Sequence, residues 1–157
     1  MQGVAKICDF GTAFSAHGHL VKEEITTAYC QAPEVTLGET RQTMAIDMWA
    51  VGVAAFCLRF GCCPWFENTS DKDEALWVQV QIVGPITRKS WPNHHELLRW
   101  PAWRDKYGGF NDELRNSGEQ PFWAQAKKQM PDYKGTEPGA DEVNFICGLL
   151  QWTQATA

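Results

Sequence analysis

The sequence predicts a mainly α-helical fold, and three stretches carry that prediction. Residues 43–60 form a long apolar stretch with helix-start and helix-stop signals at its two ends. Residues 71–83 begin with acidic side chains, which favour a helix N-terminus. Residues 141–152 carry apolar side chains at helical spacing and predict an amphipathic helix that ends the chain.

The stretch 43–60 is the clearest of the predicted helices. Thr43 can cap its N-terminus, Asp47 suits the dipole of its first turn, and Gly61 and Pro64 are expected to end it. Apolar side chains cover every face of this stretch, which is typical of a helix buried in the centre of a large domain. The helix therefore needs more packing partners than a small domain supplies.

The remaining segments are predicted to be less regular. Val4–Ile7 is a short β-like run, residues 11–31 are polar and read as a long loop, and residues 33–37 predict a short helix closed by Gly38. Residues 84–139 are rich in Pro and Gly and are expected to be mostly loop. Short helices are predicted within that segment near residues 95–100, 111–116 and 122–130.

Composition limits the classes of protein and partner. The chain has 157 residues, enough for one core, and 44% of them are hydrophobic. Its eight tryptophans are interpreted mainly as core and helix-packing residues, with a peptide-binding surface as the alternative. The net charge of −5, without a basic stripe, predicts that nucleic acid is not a partner. The apolar run 48–58 is too short to span a membrane.

The cysteine and histidine patterns favour neither a disulfide framework nor a zinc site. The six cysteines include no C-x-x-C pair, and the four histidines lack zinc-ligand spacing. No charged segment followed by an apolar run opens the sequence, so no secretory signal is predicted. We therefore expect reduced thiols in a cytoplasmic or nuclear protein.

Three short motifs occur in a fixed order. Asp9-Phe10-Gly11 is followed 23 residues later by Ala32-Pro33-Glu34, with Thr27 five residues before Ala32. Asp47-x-Trp49-x-x-Gly52 comes next, in the predicted helix. Each motif alone recurs by chance, but in this order they resemble the activation segment and the following helix of a protein kinase.

The resemblance implies a role for each of these residues. Asp9 would bind Mg²⁺, Phe10 would pack to set the active state, and Gly11 would act as a hinge. Thr27 would be the substrate-loop threonine that bonds to the catalytic aspartate. Structural roles are implied for Ala32, Pro33, Glu34, Asp47, Trp49 and Gly52. Among these, Glu34 would pair with a buried arginine late in the domain, and Asp47 would bond to the backbone of the catalytic loop.

Finer details resemble the cyclin-dependent and dual-specificity (CMGC) group of Ser/Thr kinases. The stretches 32–35, 44–52 and 82–85 are similar to that group, and residues 85–140 look like its insert between two late helices. The implied fold is the C-terminal-lobe portion of the kinase fold, with an activation segment at 9–34 and a central helix at 43–60. The resemblance implies ATP and Mg²⁺ as cofactors and protein Ser/Thr side chains as substrates. Cys30-Gln31 replaces the group's usual Tyr-Arg, which puts a proline-directed preference in doubt.

The sequence contains no H-R-D-type loop, no G-x-G-x-x-G and no V-A-I-K lysine. We therefore interpret residues 1–157 as a partial kinase domain that lacks the N-lobe, the catalytic loop and the catalytic base. As an isolated chain it is expected to be inactive and to bind ATP and Mg²⁺ weakly. Two alternatives stay open: a pseudokinase-like interaction module that docks through the apolar helix and the insert, and a gene whose upstream exons are missing from this sequence.

Overall fold

The computed structural model describes residues 4, 6–15, 30–63, 65, 71–118 and 121–152. A 3₁₀ turn at His94–Glu96 precedes the fourth α-helix. The helices are α1 (Pro33–Thr36), α2 (Ala45–Phe60), α3 (Lys72–Val83), α4 (Trp100–Asn116), α5 (Phe122–Lys128) and α6 (Ala140–Leu149). The predicted mainly α-helical fold is thereby confirmed.

The structure corrects the prediction of a short β-like run at residues 4–7. Val4, Lys6 and Ile7 are described and belong to no strand. A strand is stable only when neighbouring strands pair with it. Within the described ranges no strand lies beside this run, so its residues form no strand.

The ends of α2 follow the predicted signals closely. The Thr43 hydroxyl accepts a hydrogen bond from the backbone N–H of Ala45 at 3.3 Å. At the other end, Gly61 adopts φ 75° and its N–H donates to the carbonyl oxygen of Cys57 at 2.8 Å. Glycine adopts this left-handed conformation without strain, which is why the helix ends there. Pro64, the second predicted stop signal, lies outside the described residues.

Tryptophan side chains build the centre of the core. Trp49 of α2 is only 1% exposed, and its ring lies 6.1 Å from both the Trp65 and the Trp152 rings, measured between centroids. Trp91 stacks on the far side of Trp152 at 6.2 Å. Six of the eight tryptophans are buried, which confirms the core interpretation for them. Trp77 and Trp123 are half-buried.

Helix α6 packs antiparallel against α2. Gly52 faces Leu149 and Leu150 at one end of this contact. At the other end, the Arg59 guanidinium donates to the Glu142 carboxylate at 2.8 Å. A Cβ added at Gly52 would lie 2.8 Å from the Leu150 side chain, so the missing side chain lets the two helices approach closely.

Helix α4 is longer than predicted. It runs through Gly108 and Gly109, where the sequence predicted loop between short helices. Each glycine weakens a helix by about 0.5–1 kcal/mol relative to alanine. Tertiary packing offsets this cost, because Trp103 is fully buried in α4 and its indole N–H donates to the Asp73 carbonyl at 3.1 Å. The glycines of this segment therefore led to a prediction of more loop than the structure contains.

A buried asparagine fastens α4 to the chain that leaves α3. The Asn111 side-chain oxygen accepts from the N–H of Ile86 at 2.8 Å, and its amide donates to the Ile86 carbonyl at 3.0 Å. One side chain thus satisfies both backbone groups of a buried residue, which would otherwise cost free energy. These two hydrogen bonds keep the segment after α3 against α4. None of the helices in the described ranges is both long enough and apolar enough to cross a bilayer.

Candidate functional site

The turn at Asp9-Phe10-Gly11 has an unusual backbone conformation at Asp9, the residue predicted to bind Mg²⁺. Asp9 adopts φ 63° and is the only non-glycine residue with positive φ among the described residues. Asp tolerates this conformation better than most side chains, but it remains uncommon. A backbone N–H of Ala13 donates to the Phe10 carbonyl at 3.1 Å and closes the turn. Such backbone outliers concentrate at functional sites.

The side chains of this turn face solvent. The Asp9 carboxylate is exposed, and Phe10 is 67% exposed. A Cβ at Gly11 would lie 3.6 Å from an Asp9 carboxylate oxygen, an ordinary contact, so steric crowding does not demand glycine in this conformation. The turn therefore presents one free-standing carboxylate at the surface.

Ala32, Pro33 and Glu34 lie in the core, in contrast to Asp9. All three are buried, and the proline occupies the first position of α1, where a missing N–H costs nothing. Arg99, the residue before α4, forms two hydrogen bonds with the end of α1. Its backbone N–H donates to the Leu37 carbonyl at 2.9 Å and its guanidinium donates to the Thr36 carbonyl at 3.1 Å.

A buried polar cluster sits directly before Ala32, and sequence reasoning did not assign it. Gln31 is 1% exposed, and its side-chain oxygen accepts from the Thr36 hydroxyl at 3.1 Å. Gln79 of α3 donates to the Gln31 carbonyl at 3.4 Å. From sequence, Gln31 is only a departure from the Tyr-Arg pattern that precedes A-P-E in the CMGC group. In the structure its side chain is buried and bonds to α1, while its backbone carbonyl bonds to α3.

The three motif residues of α2 point in different directions. Trp49 and Gly52 are buried, Trp49 beside Trp65 and Trp152 and Gly52 against Leu149 and Leu150. Asp47 is exposed in the first turn of the helix, where the helix dipole favours a carboxylate. Because the Asp47 carboxylate is exposed to water, it avoids the free-energy cost of desolvation that a buried carboxylate would have.

An apolar stripe on α2 is left uncovered. Met44, Met48, Val51 and Leu58 recur at helical spacing, and Leu58 is 88% exposed. Single exposed apolar side chains are normal, but a contiguous row on one helix face marks an interaction surface. We refer to these four residues as the α2 stripe. It agrees with the expectation that this helix needs further packing partners.

The predicted site residues are thus only partly brought together. Trp49, Gly52 and the A-P-E segment share one core, whereas Asp9, Phe10 and Asp47 lie on the surface. Thr27, the predicted substrate-loop threonine, lies outside the described residues. In the ranges that the structure describes, no group of three or more His, Cys, Asp or Glu side chains is arranged to hold a metal ion.

Cys63 and Cys147 are not nucleophiles poised for reaction. All six cysteines are free thiols. Burial raises the pKa of the Cys63 thiol to about 12 and that of Cys147 to about 11. Since the thiolate is the reactive form, both side chains stay neutral and inert at physiological pH.

Comparison with known proteins places the chain in a family. The family described as "Protein kinase domain" matches residues 1–155. Cyclin-dependent kinase-like 2 of Oryctolagus cuniculus is 33% identical over 98 residues, which cover 61% of this chain and 16% of that protein. Serine/threonine-protein kinase SSN3 of Candida glabrata is 31% identical over 131 residues, which cover 70% of this chain and 23% of that protein.

A third relative shows the same pattern of partial coverage. Cyclin-dependent kinase-like 4 of Mus musculus is 32% identical over 99 residues, which cover 62% of this chain and 27% of that protein. The chain therefore spans less than a third of the length of these curated relatives. The chain belongs to the protein kinase domain family and resembles its CMGC group.

Proposed function

We propose that residues 1–157 are the C-terminal-lobe portion of a protein Ser/Thr kinase domain, whose parent protein transfers the γ-phosphate of ATP to protein Ser or Thr side chains. Within it we assign an activation segment to 9–34, a central helix to 43–60 and an insert to about 85–140. The observation that carries this proposal is the Asp9 turn, where a left-handed backbone presents an exposed carboxylate within the matched family sequence. A cytoplasmic or nuclear location is proposed with it, supported by the free thiols.

The Asp9 carboxylate suits one position in the coordination shell of Mg²⁺. This ion is held in kinase sites by one or two carboxylates together with the substrate phosphates. When bound, ATP and Mg²⁺ supply the phosphoryl group and the charge neutralisation that its transfer needs. Asp9 would contribute one oxygen ligand, and the described residues near it offer no cluster that would complete the shell. We therefore propose that this chain alone binds the pair weakly.

The other assigned residues support the site from further away. The buried Ala32, Pro33 and Glu34 would anchor the C-terminal end of the activation segment, since α1 is fastened to Arg99 and α3. Thr27, five residues before Ala32, would face the substrate hydroxyl. Asp47, exposed at the start of α2, is free to receive hydrogen bonds from a neighbouring backbone loop.

The isolated 157-residue chain is expected to transfer no phosphate. Phosphoryl transfer requires a positioned base and cations in addition to the metal ligand, and the sequence lacks the motifs that supply them. The measurement is incorporation of labelled phosphate from ATP into Ser/Thr peptides in the presence of Mg²⁺, with Asp9→Asn as the control. Incorporation that disappears in the Asp9→Asn variant would show that the isolated chain is active.

The kinase assignment itself is tested on the protein translated from the complete transcript. We expect that protein to phosphorylate Ser/Thr peptides and Asp9→Asn to abolish this activity. An upstream H-R-D-x-x-x-x-N segment in the transcript would agree with the assignment. A full-length protein that is inactive in both forms would instead favour the non-catalytic alternative.

The α2 stripe favours that alternative, a pseudokinase-like interaction module, as the second candidate. The stripe is expected to bind an apolar dye such as ANS and to cause self-association as protein concentration rises. Leu58→Glu should reduce both effects, whereas Ala102→Glu, an exposed change on α4, should not. Light scattering coupled to size-exclusion chromatography measures the association. A monomeric wild-type chain without dye binding would count against this candidate.

A further inference from the structure

A long groove separates α6 from the ends of α3 and α4. Its volume is about 990 Å³, and its walls come from the last turn of α3, the end of α4, the start of α5 and one face of α6. This volume lies at the upper end of the range for ligand pockets in proteins. The groove is half-open, so a chain segment can lie along it rather than be enclosed by it.

Apolar side chains that are only half-buried form much of the groove surface. These are Val83, Leu114, Phe122, Trp123 and Val143. Their partial exposure leaves apolar surface for a ligand to cover, and removing that surface from water favours binding.

The aromatic wall of the groove is held in place by neighbouring contacts. The Trp123 ring stacks on Phe60 with centroids 4.7 Å apart, and its indole N–H donates to the Glu137 carboxylate. Phe122 packs edge-on against Phe56 at 6.4 Å. The wall is therefore formed before any ligand arrives, which limits the entropy lost on binding.

The charge of the groove differs from that of the whole protein. Lys89 and Arg115 are its charged lining residues among those the structure describes, and no carboxylate lines it there. Lys89 is exposed and forms no ion pair within the described ranges. Arg115 lies 3.4 Å from Asp112, but both side chains are more than half exposed, so this pair is weak. Cys147 lines the groove as a neutral thiol because burial raises its pKa to about 11.

A second cavity, at the end of α2, does not offer the same chemistry. It measures about 630 Å³, and its charged lining residues are Arg59, Lys134 and Asp132, so an acidic side chain lines it. Arg59 already donates to Glu142, Tyr133 and Thr136, so its donors are engaged within the protein. The groove beside α6 contains two cations, Lys89 and Arg115, which together form a single weak ion pair, that of Arg115 with Asp112, within the described residues. It is therefore the better candidate for an anionic ligand.

We propose that the groove beside α6 binds an acidic peptide segment of a protein partner, in which Glu or Asp side chains alternate with apolar ones. The apolar side chains cover the half-buried wall, while the carboxylates meet Lys89 and Arg115. Because the chain carries a net charge of −5, such a segment is repelled by most of the surface and attracted at this groove. The proposal does not depend on kinase activity.

The test uses fluorescein-labelled peptides and the full 157-residue chain. One peptide mixes Leu with Glu, and a second of equal length and Leu content mixes Leu with Lys. Fluorescence anisotropy is expected to show binding of the Leu/Glu peptide alone. Lys89→Glu and Arg115→Glu should each weaken that binding by roughly three- to tenfold, and the binding should weaken further as salt is added. Arg104→Glu removes an exposed positive charge outside the groove and should have little effect.

Other outcomes would overturn the proposal. These are absence of Leu/Glu peptide binding to the wild-type chain, equal binding of both peptides, or equal affinity in the groove variants and Arg104→Glu. A wild-type dimer that dissociates in the groove variants would assign the groove to a second copy of the chain instead. If a charge reversal unfolds the chain by circular dichroism, Lys89→Gln and Arg115→Gln replace it, with a smaller loss of affinity expected.

Discussion

Replacing Trp49 with alanine is expected to lower the free energy of unfolding by about 3–5 kcal/mol, the usual cost of removing a buried tryptophan side chain. The indole is 1% exposed and lies between the rings of Trp65 and Trp152. Its removal leaves a cavity between α2 and the Trp65 and Trp152 rings, and those rings cannot fill it without losing their own contacts. Urea denaturation followed by far-UV circular dichroism measures the change.

Two further variants separate core packing from other effects. Trp77→Ala removes a half-buried indole that stacks on Tyr107 at 6.0 Å, and a clearly smaller loss is expected. Trp49→Phe keeps an aromatic ring and removes a buried indole N–H that has no hydrogen-bond partner among the residues that the structure describes. Since no hydrogen bond is lost, this variant should cost much less than Trp49→Ala. Similar losses for Trp49→Ala and Trp77→Ala would contradict the central position of Trp49.

The ends of α2 were predictable from sequence because they depend on neighbours along the chain. Thr43 and Gly61 act on backbone groups two to four residues away, so their types alone indicate where the helix starts and stops. The structural role of the A-P-E segment was inferred from its motif rather than from local physics, and the burial of α1 agrees with it.

Features that depend on distant residues were not predictable in this way. Helix α4 passes through Gly108 and Gly109 because Trp103 and Asn111 are anchored to α3 and to the segment after it. The groove beside α6 combines residues from four segments, and no local pattern links Lys89 to Arg115. Sequence pattern reports local preference, whereas tertiary packing decides these cases.

The candidate site likewise has features that the sequence indicates and features that only the structure shows. The motif identified Asp9 as a metal ligand candidate by resemblance, but the residue types give no sign of its left-handed backbone. The burial of Gln31 was equally hidden, since glutamine is mostly a surface residue. Both properties are visible only in the three-dimensional structure, because the residue types alone indicate neither of them.

Gly52→Val is the second substitution with a large expected effect, a loss of about 3 kcal/mol in the free energy of unfolding, at the upper end of the cost of overpacking. Even the first added carbon would lie 2.8 Å from the Leu150 side chain and 2.9 Å from the Cβ of Leu149. The Cβ of Leu149 is fixed to the α6 backbone, so relief requires the two helices to move apart. Such a movement also disturbs the packing of Trp152 on Trp49.

Gly148→Val is the matched control, because it makes the same chemical change on the partner helix. A Cβ at Gly148 would meet no atom within 4 Å, and valine has a slightly higher helix propensity than glycine. We expect the free energy of unfolding of this variant to change by less than about 0.5 kcal/mol. Equal stability of the Gly52→Val and Gly148→Val proteins in urea would refute a close approach of α2 and α6. A loss confined to Gly52→Val, with weaker tryptophan near-UV circular dichroism, would locate the damage at the contact that holds Trp49 in the core.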